Sequence, residues 1–153
     1  MNHSFTQRMV LIMLCGSKEE SNNMYYSYLE DLPGRLKRTI VHSVNVILEG
    51  GLEDIKSIRL FGSCARLSVN VRSDVDVVVE TKNRLENARL IGVISSEADC
   101  NDDGVNVDVV FATTEDIEKS NKVLFKEIQR DGIVLWKGGE FTNEYNQLLG
   151  DSE

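Results

Sequence analysis

Ser57-Ile58-Arg59-Leu60-Phe61-Gly62-Ser63-Cys64-Ala65-Arg66, closely followed by Ser73-Asp74-Val75-Asp76-Val77-Val78-Val79-Glu80, is the stretch on which the reading of this chain turns. Ile58, Leu60 and Phe61 are apolar and strand-like, and the run ends at Gly62-Ser63. A glycine there lets backbone amides approach an anion without interference from a Cβ. A short helix starting near Ser63 would add unpaired N–H groups and its dipole to the same phosphate-sized niche, with Arg66 one turn on as a counter-charge. Past Asp74, strict alternation puts Asp74, Asp76, Val78 and Glu80 on one strand face and Val75, Val77 and Val79 on the other.

Two carboxylates so close repel each other, and a divalent cation between them relieves the repulsion, with Mg2+ the natural candidate. A second alternating run, Val105-Asn106-Val107-Asp108-Val109-Val110-Phe111, carries Asp108 opposite its valines. If the two runs pair as neighbouring strands, three carboxylates converge beside an amide-lined niche. Metal-assisted phosphoryl or nucleotidyl transfer needs that arrangement, because the cations neutralise developing charge and orient both oxygens.

The motif Phe61-Gly62-Ser63-x-Ala65-Arg66, then Asp74-x-Asp76, then a strand bearing Asp108, resembles the nucleotidyltransferases of the DNA polymerase beta superfamily. The resemblance spans roughly residues 58–136. Within that superfamily the short chain is similar to the minimal nucleotidyltransferases that act as antitoxins of HEPN-domain toxins. The resemblance implies an α+β (mixed α/β) nucleotidyltransferase fold, a small mixed β-sheet flanked by helices. It implies that Gly62, Ser63 and Arg66 hold the nucleotide, and that Asp74, Asp76 and Asp108 are catalytic and ligate two Mg2+ ions. The substrate is then a nucleoside triphosphate, ATP, whose nucleoside monophosphate goes to a hydroxyl. The acceptor is a tyrosine on a HEPN-type toxin partner or a small-molecule alcohol, and an antitoxin acting by occlusion without turnover is the reading from another class. The chain departs from the family pattern at Leu67, where a Gly is usual, and a side chain there could crowd the nucleotide loop.

A chain of 153 residues, 41% hydrophobic and 27% charged, is sized for one globular domain. Seventeen Lys and Arg stand against 25 Asp and Glu, a net charge of −8, which disfavours general nucleic-acid binding, although a local basic patch such as Arg35, Lys37 and Arg38 could survive within it. Cys15, Cys64 and Cys100 form no C-x-x-C pair and are odd in number, which fits a reducing cytoplasm better than a disulfide framework or a zinc knuckle. With only His3 and His42, a histidine-based metal site is disfavoured. Cys64, beside Ser63, reads as a small residue fitting a tight loop rather than an oxidation-sensitive thiol.

Residues 1–24 read as an N-terminal extension, 25–137 as the nucleotidyltransferase domain and 138–153 as a C-terminal tail. The apolar run Met9-Val10-Leu11-Ile12-Met13-Leu14 is too short to span a membrane, and bulky Met13 and Leu14 argue against Leu14-Cys15-Gly16 as a lipoprotein cleavage site. Leu36, Ile40, Val44 and Ile47 recur at helical spacing between Pro33 and Gly50-Gly51. Further helices are expected over 83–97 and from Thr113, an N-cap, to about Arg130, with a final strand at Ile133-Val134-Leu135-Trp136. The apolar residues of the tail, Phe141, Tyr145, Leu148 and Leu149, would pack at home or, with Trp136, offer a docking surface to a toxin or a second copy of the chain.

Taken alone, Asp-x-Asp on a strand is as well explained by a solvated face. The order and spacing of Gly-Ser, Arg, Asp-x-Asp and a third strand Asp favour a site. Glu80, further along the same face, reads as one member of a structural salt bridge, and Arg66 is divided between a triphosphate contact and a surface ion pair.

Overall fold

Strand β4 (Val75–Thr81) is buried along nearly its whole length, and the rest of the molecule is arranged to cover its two faces. The computed structural model describes residues 23–150; the N-terminal extension up to residue 22, with its apolar run and Cys15, lies outside the described residues. β4 runs antiparallel to β2 (Ile55–Phe61) and parallel to β5 (Val107–Thr113). With β6 (Ile133–Lys137) and β7 (Glu140–Phe141), the mixed five-stranded sheet has the order β5-β4-β2-β6-β7. A separate two-stranded ribbon pairs β1 (Met24–Tyr25) with β3 (Ser68–Val69). The fold is α+β.

The alternation of β4 divides the core. Val75, Val77 and Val79 face helix α1 (Gly34–Glu49), which presents Leu36, Ile40, Val44 and Ile47 at helical spacing, all fully buried. Ile94 of α3 (Ala88–Asp99) and Tyr145 and Leu148 of α6 (Asn143–Leu148) complete that layer. Val78, with Phe61 and Ala112 from the neighbouring strands, packs on the other side against Ile117 of α4 (Thr114–Lys119) and Phe125 and Ile128 of α5 (Val123–Asp131). The short helix α2 (Gly62–Ala65) follows β2 directly, with Cys64 and Ala65 buried.

Three local expectations change. The helix expected over 83–97 starts only at Ala88, because the Asn87 side chain caps it, accepting from the Leu90 amide at 3.0 Å. The single helix expected from Thr113 to Arg130 is two. Thr113 and Asp116 form a capping box that starts α4, and Ser120 turns to extended backbone and ends it. The break lets α5 fold back, where Gln129 Nε2 donates to the Ile117 carbonyl at 2.7 Å. The C-terminal stretch packs at home: β7 joins the sheet edge, and Tyr145 and Leu148 enter the core. Only Phe141, stacked on Tyr145, and Leu149 stay exposed, while Trp136 leans on the core.

The basic patch is spent on structure. Arg35 donates to the Asn70 carbonyl at 2.9 Å, Lys37 to the Glu30 carbonyl at 2.8 Å, and Arg38 pairs with Asp103 at 2.8 Å. His42, on the surface of α1, donates from Nε2 to the Glu97 carbonyl at 2.9 Å, bridging to α3.

Leu67 has φ +62°, the left-handed region in which a glycine is favoured. Its side chain packs against the core and its carbonyl accepts from the Tyr26 amide at 2.9 Å, tying the ribbon to α2. Leu67→Ala keeps the backbone strain and loses the packing, whereas Leu67→Gly loses the same packing but relieves the strain. The Gly variant is expected to be the more stable of the two by roughly 0.5–1 kcal/mol, the strain less the extra freedom of an unfolded Gly. Urea denaturation of the pair measures it, and an Ala variant of equal or greater stability would show that the strain is absent.

Candidate active site

The register of three strands sets Phe61, Asp76 and Asp108 side by side. Phe61 lies opposite Asp76 across the antiparallel β2–β4 pair, and Asp76 opposite Asp108 across the parallel β4–β5 pair. Neighbours in register share a face, so the two carboxylates sit on adjoining strands at the open end of the Phe61–Val78–Ala112 layer. Asp74 precedes β4 by one residue and is held by the loop before it. In that loop, Asn70 accepts from the Arg72 and Ser73 amides and donates to Asn23, and Ser73 Oγ accepts from the Asn70 amide at 2.8 Å. Asp74 and Asp108 are exposed and Asp76 is half-buried.

Gly62 closes the row. Its φ is +75°, and a Cβ added to it would collide with the Asp76 carboxylate, so backbone and acid meet at closer range than a side chain at position 62 permits. No side chain caps the first turn of α2, and Ser63 makes no side-chain hydrogen bond among the described residues. Arg66, just beyond α2, lies 3.8 Å from Asp131 of α5 with its side chain 45% exposed. Sequence reasoning missed this approach of α5. Asp131 and, one turn earlier, Glu127 are ordinary surface residues by pattern, and only the fold-back of α5 brings Asp131 to Arg66 and the Glu127 charge to bear on Asp76.

The electrostatics follow from this crowding. Burial, then the charges of Asp108 and Asp74, push the Asp76 carboxyl up to about 6; Arg66 opposes this and Glu127 adds to it. Burial, aided by the charges of Asp76 and Asp74 and opposed by Arg35, pushes the Cys64 thiol up to about 12. It is buried and donates to the Asp74 carbonyl at 3.5 Å, the inert packing residue expected. Glu80 shares the face of Asp76 but is a structural anchor. It accepts from Ser57 Oγ at 2.7 Å, Thr114 Oγ1 at 2.6 Å and Arg59 at 3.0 Å. Burial raises its pKa, but the hydrogen bonds from Thr114 and Ser57 and the Arg59 charge outweigh it, so the net shift is downward.

Among the described residues, no three His, Cys, Asp or Glu side chains stand together closely enough to enclose a metal ion. Two cavities, of about 180 and 420 Å3, lie at the far end of β4 around Arg84 and Leu85 and involve none of the three aspartates. With Asp74 and Asp108 exposed and Asp76 half-buried, the carboxylate row opens onto the surface.

Residues 42–140 match the family model described as polymerase beta, nucleotidyltransferase. The chain belongs to that nucleotidyltransferase family. Among solved structures, this nucleotidyltransferase is similar to a protein from Sulfolobus solfataricus provisionally described as a nucleotidyltransferase, with 17% identity, a TM-score of 0.48, and coverage of 71% of this chain and 93% of the other. It is also similar to a chain of a toxin–antitoxin complex with AMP-PNP, at 21% identity, a TM-score of 0.46, and 74% and 81% coverage. A third likeness is to a chain of the Shewanella oneidensis complex of a tri-AMPylated HEPN toxin with an MNT antitoxin, at 21% identity, a TM-score of 0.42, and 69% and 73% coverage. No curated protein matches the chain. Among the described residues of this nucleotidyltransferase, no helix is long and apolar enough to cross a membrane.

The raised Asp76 pKa has a consequence for the metal-free protein. The folded state holds this proton more tightly than the unfolded chain, so as pH rises from 3.8 towards about 6 the Asp76 contribution to stability falls. In chelator, Asp76→Asn is expected to lack this decline and to melt above the wild type at pH 7. Paired thermal melts between pH 4 and pH 7 test this, and parallel curves would show that Asp76 is not under electrostatic stress.

Proposed function

We propose that this nucleotidyltransferase transfers a nucleoside monophosphate from ATP to a hydroxyl, releasing pyrophosphate, in a Mg2+-dependent reaction. The observation that carries the reading is the Asp76–Asp108 pair on adjoining strands, with Asp74 two residues before and Gly62-Ser63 at its side. The donor set fits a hard cation. Carboxylate oxygens are the ligands that Mg2+ takes, and an Asp76 carboxyl raised by burial and by its acidic neighbours is a site short of positive charge. The carboxylates of Asp74 and Asp108, exposed and without a hydrogen-bond or salt-bridge partner among the described residues, are free to turn towards the same ion.

In this mechanism Asp74, Asp76 and Asp108 would hold two Mg2+ ions, which would neutralise charge on the triphosphate and on the attacking oxygen. The uncapped first-turn amides of Gly62 and Ser63 and the Arg66 guanidinium bind the triphosphate. The acceptor hydroxyl gives up its proton, which Asp108 receives, as its oxygen bonds to the α-phosphorus. The bond from the α-phosphorus to the bridging oxygen breaks, and its electron pair leaves with pyrophosphate.

The acceptor in this proposal is a tyrosine of a HEPN-type toxin, the partner implied by the resemblance of the motif and the chain length to minimal nucleotidyltransferase antitoxins. The exposure of Asp74 and Asp108 supports a site that a protein covers, because water at an open site weakens the stabilisation of developing charge. Slow transfer by the isolated chain and marked acceleration by the partner are expected.

Labelled-ATP incorporation, with and without a HEPN-type toxin as acceptor, tests the proposal. Asp74→Asn or Asp76→Asn is expected to lower incorporation by about 100-fold or more, since even groups one shell further from a metal contribute about 10–100-fold. A double Asn variant with wild-type, magnesium-dependent incorporation would end the metal assignment. Ordinary enzyme rates on a free small-molecule alcohol by a strict monomer would replace the toxin with a small acceptor.

A further inference from the structure

We propose that Asp131, the last residue of α5, is a positioning residue for nucleotide binding: it tethers the Arg66 guanidinium beside the carboxylate row, ready for the triphosphate. The inference rests on the proposed nucleotide site and adds to it a residue from an element outside the Gly-Ser and Asp-x-Asp motifs.

A carboxylate at the C-terminal end of a helix faces the negative end of the helix dipole and is unfavourable there without cations. Asp131 has two. Arg130 grips it as a fork, with Nε 3.1 Å from Oδ1 and Nη2 2.9 Å from Oδ2. That grip fixes the carboxylate, and the charge and hydrogen bonds of Arg130 lower its pKa. Arg66 approaches Oδ2 at 3.8 Å, within reach of charge attraction but beyond a hydrogen bond. The Arg66 charge also acts on Asp76, where it opposes the rise in pKa. The guanidinium is thus within charge reach of both the Asp131 carboxylate on α5 and Asp76 on β4, one turn beyond Gly62-Ser63.

An arginine on an open surface surrenders rotamer freedom when it binds phosphate, and one already tethered surrenders less. The loose 3.8 Å contact leaves every guanidinium N–H available for phosphate oxygens, while Arg130 keeps Asp131 satisfied when Arg66 shifts its hydrogen bonding to the ligand. Asp131 therefore favours the bound orientation without competing for the donors.

The test is a double-mutant cycle on the full chain, with the affinity for AMP-PNP and Mg2+ measured by calorimetry. Asp131→Asn is expected to weaken binding roughly two- to five-fold, the range of a solvent-exposed ion pair. In the Arg66→Ala background the same change is expected to have no effect, and Asp131→Glu, which keeps the charge, is expected to restore most of the affinity. In labelled-nucleotide transfer the change is expected in KM and not in kcat. Tighter or unchanged binding by Asp131→Asn would overturn the inference, as would a loss that persists without Arg66. Asp131→Ser provides the same comparison should the Asn variant fold poorly. Absence of AMP-PNP binding by the wild type would instead sink the nucleotide reading on which this one stands, and is distinguished by that control.

Discussion

Burying a charged strand face is the constraint on which this structure depends. β4 is the sheet's most enclosed strand, yet the face that bears Val78 carries a carboxylate near each end, and a buried charge without partners costs several kcal/mol. The two ends meet this cost in opposite ways. At the far end Glu80 receives hydrogen bonds from Ser57, Arg59 and Thr114, which join β2, β4 and the start of α4. At the near end the Asp76 carboxylate receives no such bond among the described residues, and its pKa is pushed upward by burial, by Asp108 and by Asp74. One strand face therefore contains an anchor whose charge is satisfied and a carboxylate whose charge is not. Unsatisfied charge of this kind concentrates where ligands bind, since only a ligand then completes the interactions.

The surrounding elements keep the unsatisfied end open and well placed. Gly62 lets the chain turn against Asp76, and Cys64 and Ala65 root α2 in the core. Leu67 accepts a left-handed backbone so that the chain reverses into β3, with its side chain packed inward. The Asn70–Ser73 loop, bonded to Asn23 and Arg35, delivers Asp74 at the start of β4. Because Leu67 packs on the core, the departure from a glycine at that position is met by local strain and compensating burial.

Much of the fold was legible before the structure because the relevant forces are local or periodic. Leu36, Ile40, Val44 and Ile47 mark α1 by helical spacing, and Pro33 and Gly50 bracket it. The alternation in 73–80 and 105–111 marks two strands with their acids on defined faces, and Gly62-Ser63 marks the turn between strand and helix. The helix limits near 83–97 and 113–130 were misread because a helical pattern in apolar residues does not show which capping side chain prevails. Asn87, and the Ser120 break, decided those limits.

What the amino-acid sequence by itself determined is the chemistry available: three aspartates on strand-forming runs, a glycine where backbone must approach an acid, and an arginine one turn beyond. Tertiary structure decided which of these meet. The parallel register of β4 and β5 places Asp76 beside Asp108, whereas a one-residue slip would have turned the acids to opposite faces. The fold-back of α5 brings Asp131 to Arg66 and Glu127 towards Asp76, and the pairing of Glu80 with Ser57, Arg59 and Thr114 separates the structural acid from the unsatisfied one. None of these is readable from spacing, because each depends on a contact between segments far apart in the chain, fixed by packing around a shared core.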